Sequence, residues 1–408
     1  MNSSTFQASS VLSAPDHKDE SMNVFSRINM AEVTRLTRAG KLSEAVALLQ
    51  GKTTPSHADL LRSTPAQGRE RQSLPPQDRS APLGRFQRRL HAFGTAQPTD
   101  QRFTSSGLLP GTKLPGDSPL SAPAPIPAGA RFEERSFADA AGQRTYKVFV
   151  PSGYRGQSLP LVIMLHGCTQ NPDDFAVGTG MNALAEEQTF LVAYPRQPKS
   201  ANMQKCWNWF NVSDQRRESG EPALIAGIAL AVLDEFSADR NRVYVAGLSA
   251  GGAAAAIMAA TYPDIFAAVG VHSGLACGVA KDLPTALAAM STGGAGRGRA
   301  RIDIPTIVFH GDNDRTVNPT NADQVIAQAS ETQRLAVTVT EGKNDADVTY
   351  TRSVHSDSAG REIIEKWVVH GGGHAWSGGS PAGSYTASQG PDASREMMRF
   401  FLSHRKNQ

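Results

Sequence analysis

Arg242-Val-Tyr-Val-Ala-Gly-Leu-Ser-Ala-Gly-Gly-Ala-Ala-Ala-Ala-Ile-Met-Ala-Ala260 is the stretch whose reading decides the fold. Val243, Tyr244 and Val245 are β-branched or aromatic, as a buried strand requires. Residues 253–260 are mostly strong helix formers. Between them stands Gly247-Leu-Ser-Ala-Gly251, a G-x-S-x-G pattern. A strand that turns sharply into a helix leaves no room for side chains flanking the turn, which explains both glycines. The serine between them is held strained, with its hydroxyl above the sheet. Ser249 is therefore the candidate nucleophile. The N–H of Ala250, at the helix start, is a candidate donor to an oxyanion. The competing reading is a small-residue turn for close helix–strand packing.

Outward from this stretch, strand and helix patterns alternate. Arg131-Phe-Glu-Glu-Arg-Ser-Phe137 and Arg144-Thr-Tyr-Lys-Val-Phe-Val150 flank a turn containing Ala-Ala-Gly and predict an antiparallel hairpin. The nearly continuous apolar run over residues 159–165 predicts a central strand. A helix is expected over 181–188, a strand over 190–194 and a helix over 222–236. Beyond the opening stretch, strands are expected over 267–271, 304–309 and 363–369, with helices over 284–290, 321–329 and 393–404. This alternation predicts the α/β class: a mostly parallel sheet covered on both faces, with the antiparallel hairpin at one edge.

That texture begins near residue 129 and assigns 129–408 to one catalytic domain. Residues 1–50 read as a polar tail and a short helical segment. Met30, Val33, Leu36 and Thr37 share a face, Gly40 interrupts it, and Leu42, Val46 and Leu49 resume it. Such a segment cannot bury its own apolar face. Docking on the catalytic domain, self-association and contact with a surface are all open to it. Residues 51–128, rich in Pro, Ser, Gln and Arg, read as a disordered linker. Residues 1–125 hold 15 Lys+Arg against 10 Asp+Glu, and the remainder 26 against 28, so the net +3 lies in the N-terminal part. A surplus this small does not argue for a nucleic-acid partner. No run approaches the ~18 apolar residues of a transmembrane helix. Met1-Asn-Ser-Ser-Thr-Phe6 lacks a basic region followed by an apolar core and does not read as a signal peptide. Cys168, Cys206 and Cys277 are too few for a disulfide scaffold, and allow one pair plus a thiol or three thiols.

A serine needs a base held by an acid. The acid is expected after a later strand and the base after the last one. Thr306-Ile-Val-Phe-His-Gly-Asp-Asn-Asp-Arg-Thr-Val317 reads as a strand turned out at Gly311 into a loop with Asp312 and Asp314. Asp314 is preferred as the acid, because Gly-x-x-Asp-x-x-Val sets it further out with Val317 as anchor. Asp312 is the rival, and both also suit turn or cap positions. In Val368-Val-His-Gly-Gly-Gly-His-Ala-Trp-Ser-Gly-Gly379, His374 sits in a glycine-rich loop after the last strand and is the candidate base. His370, beside the strand, is its rival and reads as a packing or capping residue. The intervening glycines oppose the helix that a His-x-x-x-His metal site would need, so no metal or cofactor is implied. The loop His166-Gly-Cys-Thr-Gln170 follows the strand ending at Leu165, and the Cys168 N–H is the second candidate oxyanion donor, partnering Ala250. His166, His272, His310, His355 and His404 are taken as structural or solvated.

With these pieces in view, residues from about 129 to 408 resemble the polyhydroxybutyrate depolymerase-type serine esterases of the α/β-hydrolase superfamily, a group also similar to feruloyl and acetylxylan esterases. The resemblance is carried by Leu165-His-Gly-Cys-Thr-Gln170, Tyr194-Pro-Arg-Gln197, Cys206-Trp-Asn-Trp-Phe210, Gly247-Leu-Ser-Ala-Gly-Gly252, His310-Gly-x-x-Asp-x-x-Val317 and Gly373-His-Ala-Trp-Ser-Gly-Gly379. It implies a triad of Ser249, Asp314 and His374, oxyanion donors at Cys168 and Ala250, and short-chain hydroxyalkanoate polyesters or related esters as substrates. It also implies an aromatic substrate surface at Trp207 and Trp209, with Trp376 lining the mouth. Core packing is the alternative for those rings. Cys168 and Cys206 both belong to matching motifs near the site, and are expected to lie close together and to pair if the protein is exported. The resemblance implies an extracellular enzyme, although no leader is read here. No separate substrate-binding module follows the last helix, which favours soluble oligomers or small esters over crystalline polymer. A feruloyl or acetylxylan esterase is the second enzymatic reading. A non-catalytic binding protein on a hydrolase scaffold is the reading from another class, and the intact Ser–Asp–His order opposes it.

Overall fold

The computed structural model describes residues 126–294, 300–331 and 334–406. The expected N-terminal helical segment and nearly all of the linker lie outside them, as does any role assigned to them. The described residues start with the hairpin β1 (Arg131–Asp139) and β2 (Gly142–Val150). Next come β3 (Leu161–Leu165), α1 (Pro172–Thr179), α2 (Met181–Gln188), β4 (Leu191–Pro195) and α3 (Gly220–Glu235). The opening stretch supplies β5 (Val243–Leu248) and α4 (Ala250–Thr261), followed by β6 (Ala268–His272), α5 (Leu283–Thr292), β7 (Thr306–Gly311) and α6 (Thr320–Ser330). The chain continues through β8 (Ala336–Lys343), β9 (Thr349–Ser356), β10 (Glu362–Val369), the short β11 (Trp376–Ser377) and β12 (Thr386–Ala387), and α7 (Ala393–Leu402).

The main sheet runs β1-β2-β4-β3-β5-β6-β7-β10-β9-β8. Its centre, from β4 to β10, is parallel throughout. The predicted hairpin forms one edge, registering Arg131 with Val150 and Asp139 with Gly142. The other edge is a second antiparallel hairpin, β8 with β9, joined to β10. Alternation along the strands divides the core between the two faces of the sheet. Leu161, Ile163 and Leu165 pack with α3, α4 and α6, whereas Val162 and Met164 pack with Phe175, Met181, Met397 and Phe400 of α1, α2 and α7. Burying each such side chain contributes about 1.5–3 kcal/mol. Among the described residues no helix is long and apolar enough to cross a membrane.

The main differences from the sequence reading are a helix and a hairpin, besides the short β11 and β12. α1 is an additional helix, started by Asn171, whose side chain accepts from the N–H groups of Asp173 and Asp174, with Pro172 in the first turn. Both are standard start signals. The β8–β9 hairpin was not expected, because Val337 and Val339 of β8 are 54% and 60% exposed and no buried face marks the strand.

Candidate active site

The parallel strands deliver four loops to their carboxyl ends, where open α/β sheets place their sites. The first is the turn between β5 and α4. Ser249 adopts φ 58°, ψ −120°, a left-handed conformation that a residue with a side chain rarely enters. Its N–H donates to His272 O at 2.9 Å and its carbonyl accepts from Ala253 N–H at 2.9 Å. The glycines are required by close approach. A Cβ at Gly251 would overlap the carbonyls of Leu165 and His166, and one at Gly247 would overlap the Gly251 carbonyl.

The loop after β3 packs beside this turn. A Cβ at Gly167 would stand 3.7 Å from Ser249 Cβ. Gly167 N–H donates to Gln170 Oε1 at 2.9 Å, Thr169 N–H to Gln204 O at 2.6 Å, and Cys168 is disulfide-bonded to Cys206. The third cysteine, Cys277, is free and buried. The loop is thus held from both sides. The N–H groups of Cys168 and Ala250 donate no hydrogen bond among the described residues, which leaves them open to an incoming oxygen.

The loops after β7 and β10 bring Asp314 and His374 together. His374 Nδ1 lies 2.7 Å from Asp314 Oδ2, and the carboxylate side chain is fully buried. Since the carboxylate only accepts, Nδ1 carries the hydrogen and Nε2 keeps a free lone pair, the state a general base needs. Asp314 Oδ1 accepts from the N–H groups of Thr316 and Val317, each at 2.9 Å. His310 Nε2 stands 3.3 Å from Asp314 Oδ2. Burial pushes this carboxyl up, but its hydrogen bonds with His310, His374 and Val317 outweigh that and hold it well below the usual carboxylate range. The rivals form a separate pair: His370 Nδ1 meets Asp312 Oδ2 at 2.8 Å at a half-exposed position.

Ser249 and His374 are connected through His272, a residue the sequence reading left as structural or solvated. The His272 carbonyl takes the Ser249 N–H, and its Nε2 accepts from Ser377 N–H at 3.0 Å, three residues past His374. Burial pushes its pKa down to about 3, so the ring stays neutral and able to accept. His166 plays a similar part in the loop after β3. It accepts Gln197 N–H at Nε2 (3.1 Å), and burial lowers its pKa to about 4. The signal in both cases is position, each histidine ending or just following a central strand.

The tryptophans correct an expectation. Trp207 and Trp376 are fully buried and Trp209 nearly so. Trp207 Nε1–H donates to the His166 carbonyl at 3.0 Å and thereby braces the loop after β3. Trp376 stacks on His272 at 5.0 Å and donates to Ser394 Oγ. Their rings therefore serve as supports behind the loops and offer no open aromatic face, nor does Trp376 line a mouth. The apolar residues around them and the fixed acceptors for the Trp207 and Trp376 N–H groups account for this. A cleft of about 810 Å³ opens at the other end of the strands, near Ala267, Pro305 and Glu362, away from these loops.

The β5–α4 elbow and the buried Asp314–His374 pair at the ends of a largely parallel sheet define an α/β-hydrolase fold. Residues 144–344 match the Esterase PHB depolymerase family. The match ends before His374. Poly(3-hydroxyalkanoate) depolymerase C of Paucimonas lemoignei is 33% identical over 238 residues, covering 55% of this chain and 56% of that protein. Acetylxylan esterase A of Talaromyces purpureogenus is 31% identical over 157 residues, covering 38% of this chain and 39% of that protein. The chain thus spans about half or less of the length of these relatives. Among solved structures, an acetyl xylan esterase from Aspergillus awamori shares the fold with TM-score 0.50 and 19% identity, covering 66% of this chain and 99% of that one.

Proposed function

We propose that the protein is a serine carboxylic ester hydrolase acting on short-chain hydroxyalkanoate esters of the polyhydroxybutyrate type, polymer or oligomer. Ser249 Oγ attacks the ester carbonyl while His374 Nε2 takes its proton. Asp314 holds the Nδ1–H tautomer and stabilises the imidazolium. The tetrahedral oxyanion sits between the N–H groups of Cys168 and Ala250. His374 then protonates the leaving alcohol, and water, deprotonated by the same nitrogen, cleaves the acyl-enzyme. The observation that carries this reading is the strained Ser249 turn, which exists only because Gly247 and Gly251 let the backbone of neighbouring loops approach. Kinship with a poly(3-hydroxyalkanoate) depolymerase supports the substrate class.

A second reading, an acetylxylan- or feruloyl-type esterase, is favoured by the burial of Trp207, Trp209 and Trp376, which removes the expected aromatic surface for a polyester chain. Hydrolysis of p-nitrophenyl butyrate beside a 3-hydroxybutyrate oligomer, by wild type and Ser249→Ala, tests both. Turnover of both substrates, abolished in the variant, supports the first reading. Turnover of the aryl ester alone moves the substrate to the second. A fully active Ser249→Ala protein overturns the mechanism.

A further inference from the structure

With the tryptophans in the core, the exposed rim beside these loops is formed by other side chains, Tyr385 among them. Tyr385 is 36% exposed and has φ 53°. It stands against Thr169, which also has a left-handed backbone, φ 67°. Two non-glycine residues in this region, face to face, mark a place where the surroundings impose the geometry. Those surroundings are the proposed site. Thr169 directly follows the oxyanion donor Cys168. The Tyr385 carbonyl accepts from Trp376 N–H at 2.7 Å, two residues past His374. Neighbouring Ser384 is fixed as well. Its N–H donates to Asp174 Oδ1 at 2.9 Å, and its carbonyl accepts from Gln170 Nε2 at 3.1 Å. The same Gln170 side chain accepts the Gly167 N–H. Tyr385 is therefore held rigidly across the gap between the oxyanion loop and the histidine loop.

The direction of its hydrogen bonds defines what it can bind. The Thr169 hydroxyl donates to the Cys168 carbonyl at 2.6 Å. Its oxygen stands 3.2 Å from the Tyr385 hydroxyl, and with the Thr169 proton on the shorter contact it is the phenol proton that is donated across this one. The Tyr385 oxygen then keeps acceptor capacity, which a donor can fill. The repeating ester of a polyester interior has none. A free aliphatic hydroxyl has one.

We propose that Tyr385 is a specificity-determining residue that accepts a hydrogen bond from a free hydroxyl carried by the substrate close to its ester. This deepens the esterase reading and rests on it. Two sources share that chemistry: the hydroxyl end of a 3-hydroxyacyl chain and a saccharide hydroxyl beside an acetyl ester. Either makes chain ends or small hydroxylated esters better substrates than polymer interiors.

The test compares kcat/KM for p-nitrophenyl 3-hydroxybutyrate with that for p-nitrophenyl butyrate in wild type and Tyr385→Phe, which keeps the ring and removes only the oxygen. A parallel arm compares an acetylated xylo-oligosaccharide with phenyl acetate. The wild type should prefer the hydroxylated ester, and Tyr385→Phe should lose about three- to tenfold of that preference, the worth of one hydrogen bond. Loss in the first arm identifies the hydroxyacyl end, and loss in the second the saccharide. Preference unchanged in both arms, with butyrate still cleaved by wild type, overturns this inference and leaves the esterase reading standing. A wild type that cleaves none of the four esters overturns the esterase reading and this inference with it.

Discussion

Two aspartate–histidine pairs lie side by side at the end of the sheet, and nearly everything except their bond lengths differs. In the Asp314–His374 pair the carboxylate is sealed from solvent, and Thr316, Val317 and His310 surround it. In the Asp312–His370 pair both side chains are about 40% exposed. Yet the outer pair imitates a triad. Thr351 Oγ1 lies 2.9 Å from His370 Nε2, so a hydroxyl, an imidazole and a carboxylate stand in one hydrogen-bonded chain. Thr351 sits within extended β9, not on a strained turn. Near Ser249 the backbone is forced into an unusual conformation, and two N–H groups in the adjoining turns have no acceptor among the described residues. On the reading proposed above, a hydrogen-bonded hydroxyl–imidazole–carboxylate chain is not by itself sufficient for nucleophilic catalysis. What separates the two is the low-dielectric burial of the acid, the presented hydroxyl and the donors for developing charge.

The largest test of this contrast is at the histidines and hydroxyls. Ser249→Ala and His374→Ala should each lower kcat by about 10⁶, as removal of a nucleophile or base does in serine hydrolases. His370→Ala and Thr351→Val should leave kcat within about twofold, since they remove only exposed contacts. Steady-state kinetics on p-nitrophenyl butyrate reads both, and a large loss in the second group would erase the distinction. Next come the acids. Asp314→Asn should cost about 10⁴ in kcat, because the amide favours the wrong tautomer of His374. Asp312→Asn should change kcat by no more than about twofold, as a half-exposed pair contributes little.

The smallest effect is on stability. The folded Asp314 carboxyl is held below its unfolded value, near 3.9 for a free aspartate. Between those two values the unfolded chain binds the extra proton, so stability rises with pH there. The contribution is fully present above the unfolded value and is lost as pH falls through the usual carboxylate range toward the folded one. Thermal unfolding followed from pH 6 down to pH 3 should therefore show a steeper acid decline in wild type than in Asp314→Asn. Equal slopes would mean that the buried pair contributes nothing through this ionisation.

The comparison also shows what a sequence can disclose. Gly247, Ser249 and Gly251 were readable because a tight strand–helix turn demands those residues whatever surrounds them. The order of Asp314 and His374 along the chain was readable for the same kind of reason, each lying in a glycine-marked loop after an apolar strand. The preference for Asp314 over Asp312 rested on loop position alone. Their burial, which separates them physically, comes from packing of distant segments. The same holds for Trp207 and Trp376, whose indoles are equally suited to a groove and to a core until the neighbours are known. His272 carried only its position at a strand end and Tyr385 no local pattern, because their contacts depend on loops 105 and 216 residues away. The β8–β9 edge escaped because its valines face solvent.

The most direct measurement is covalent labelling with an aryl phosphonate, located by peptide mass spectrometry in wild type, His374→Ala and His370→Ala. The account predicts a single adduct on Ser249, formed at equal rates in wild type and His370→Ala and not formed in His374→Ala. An adduct on Thr351, or undiminished labelling of Ser249 without His374, would contradict it.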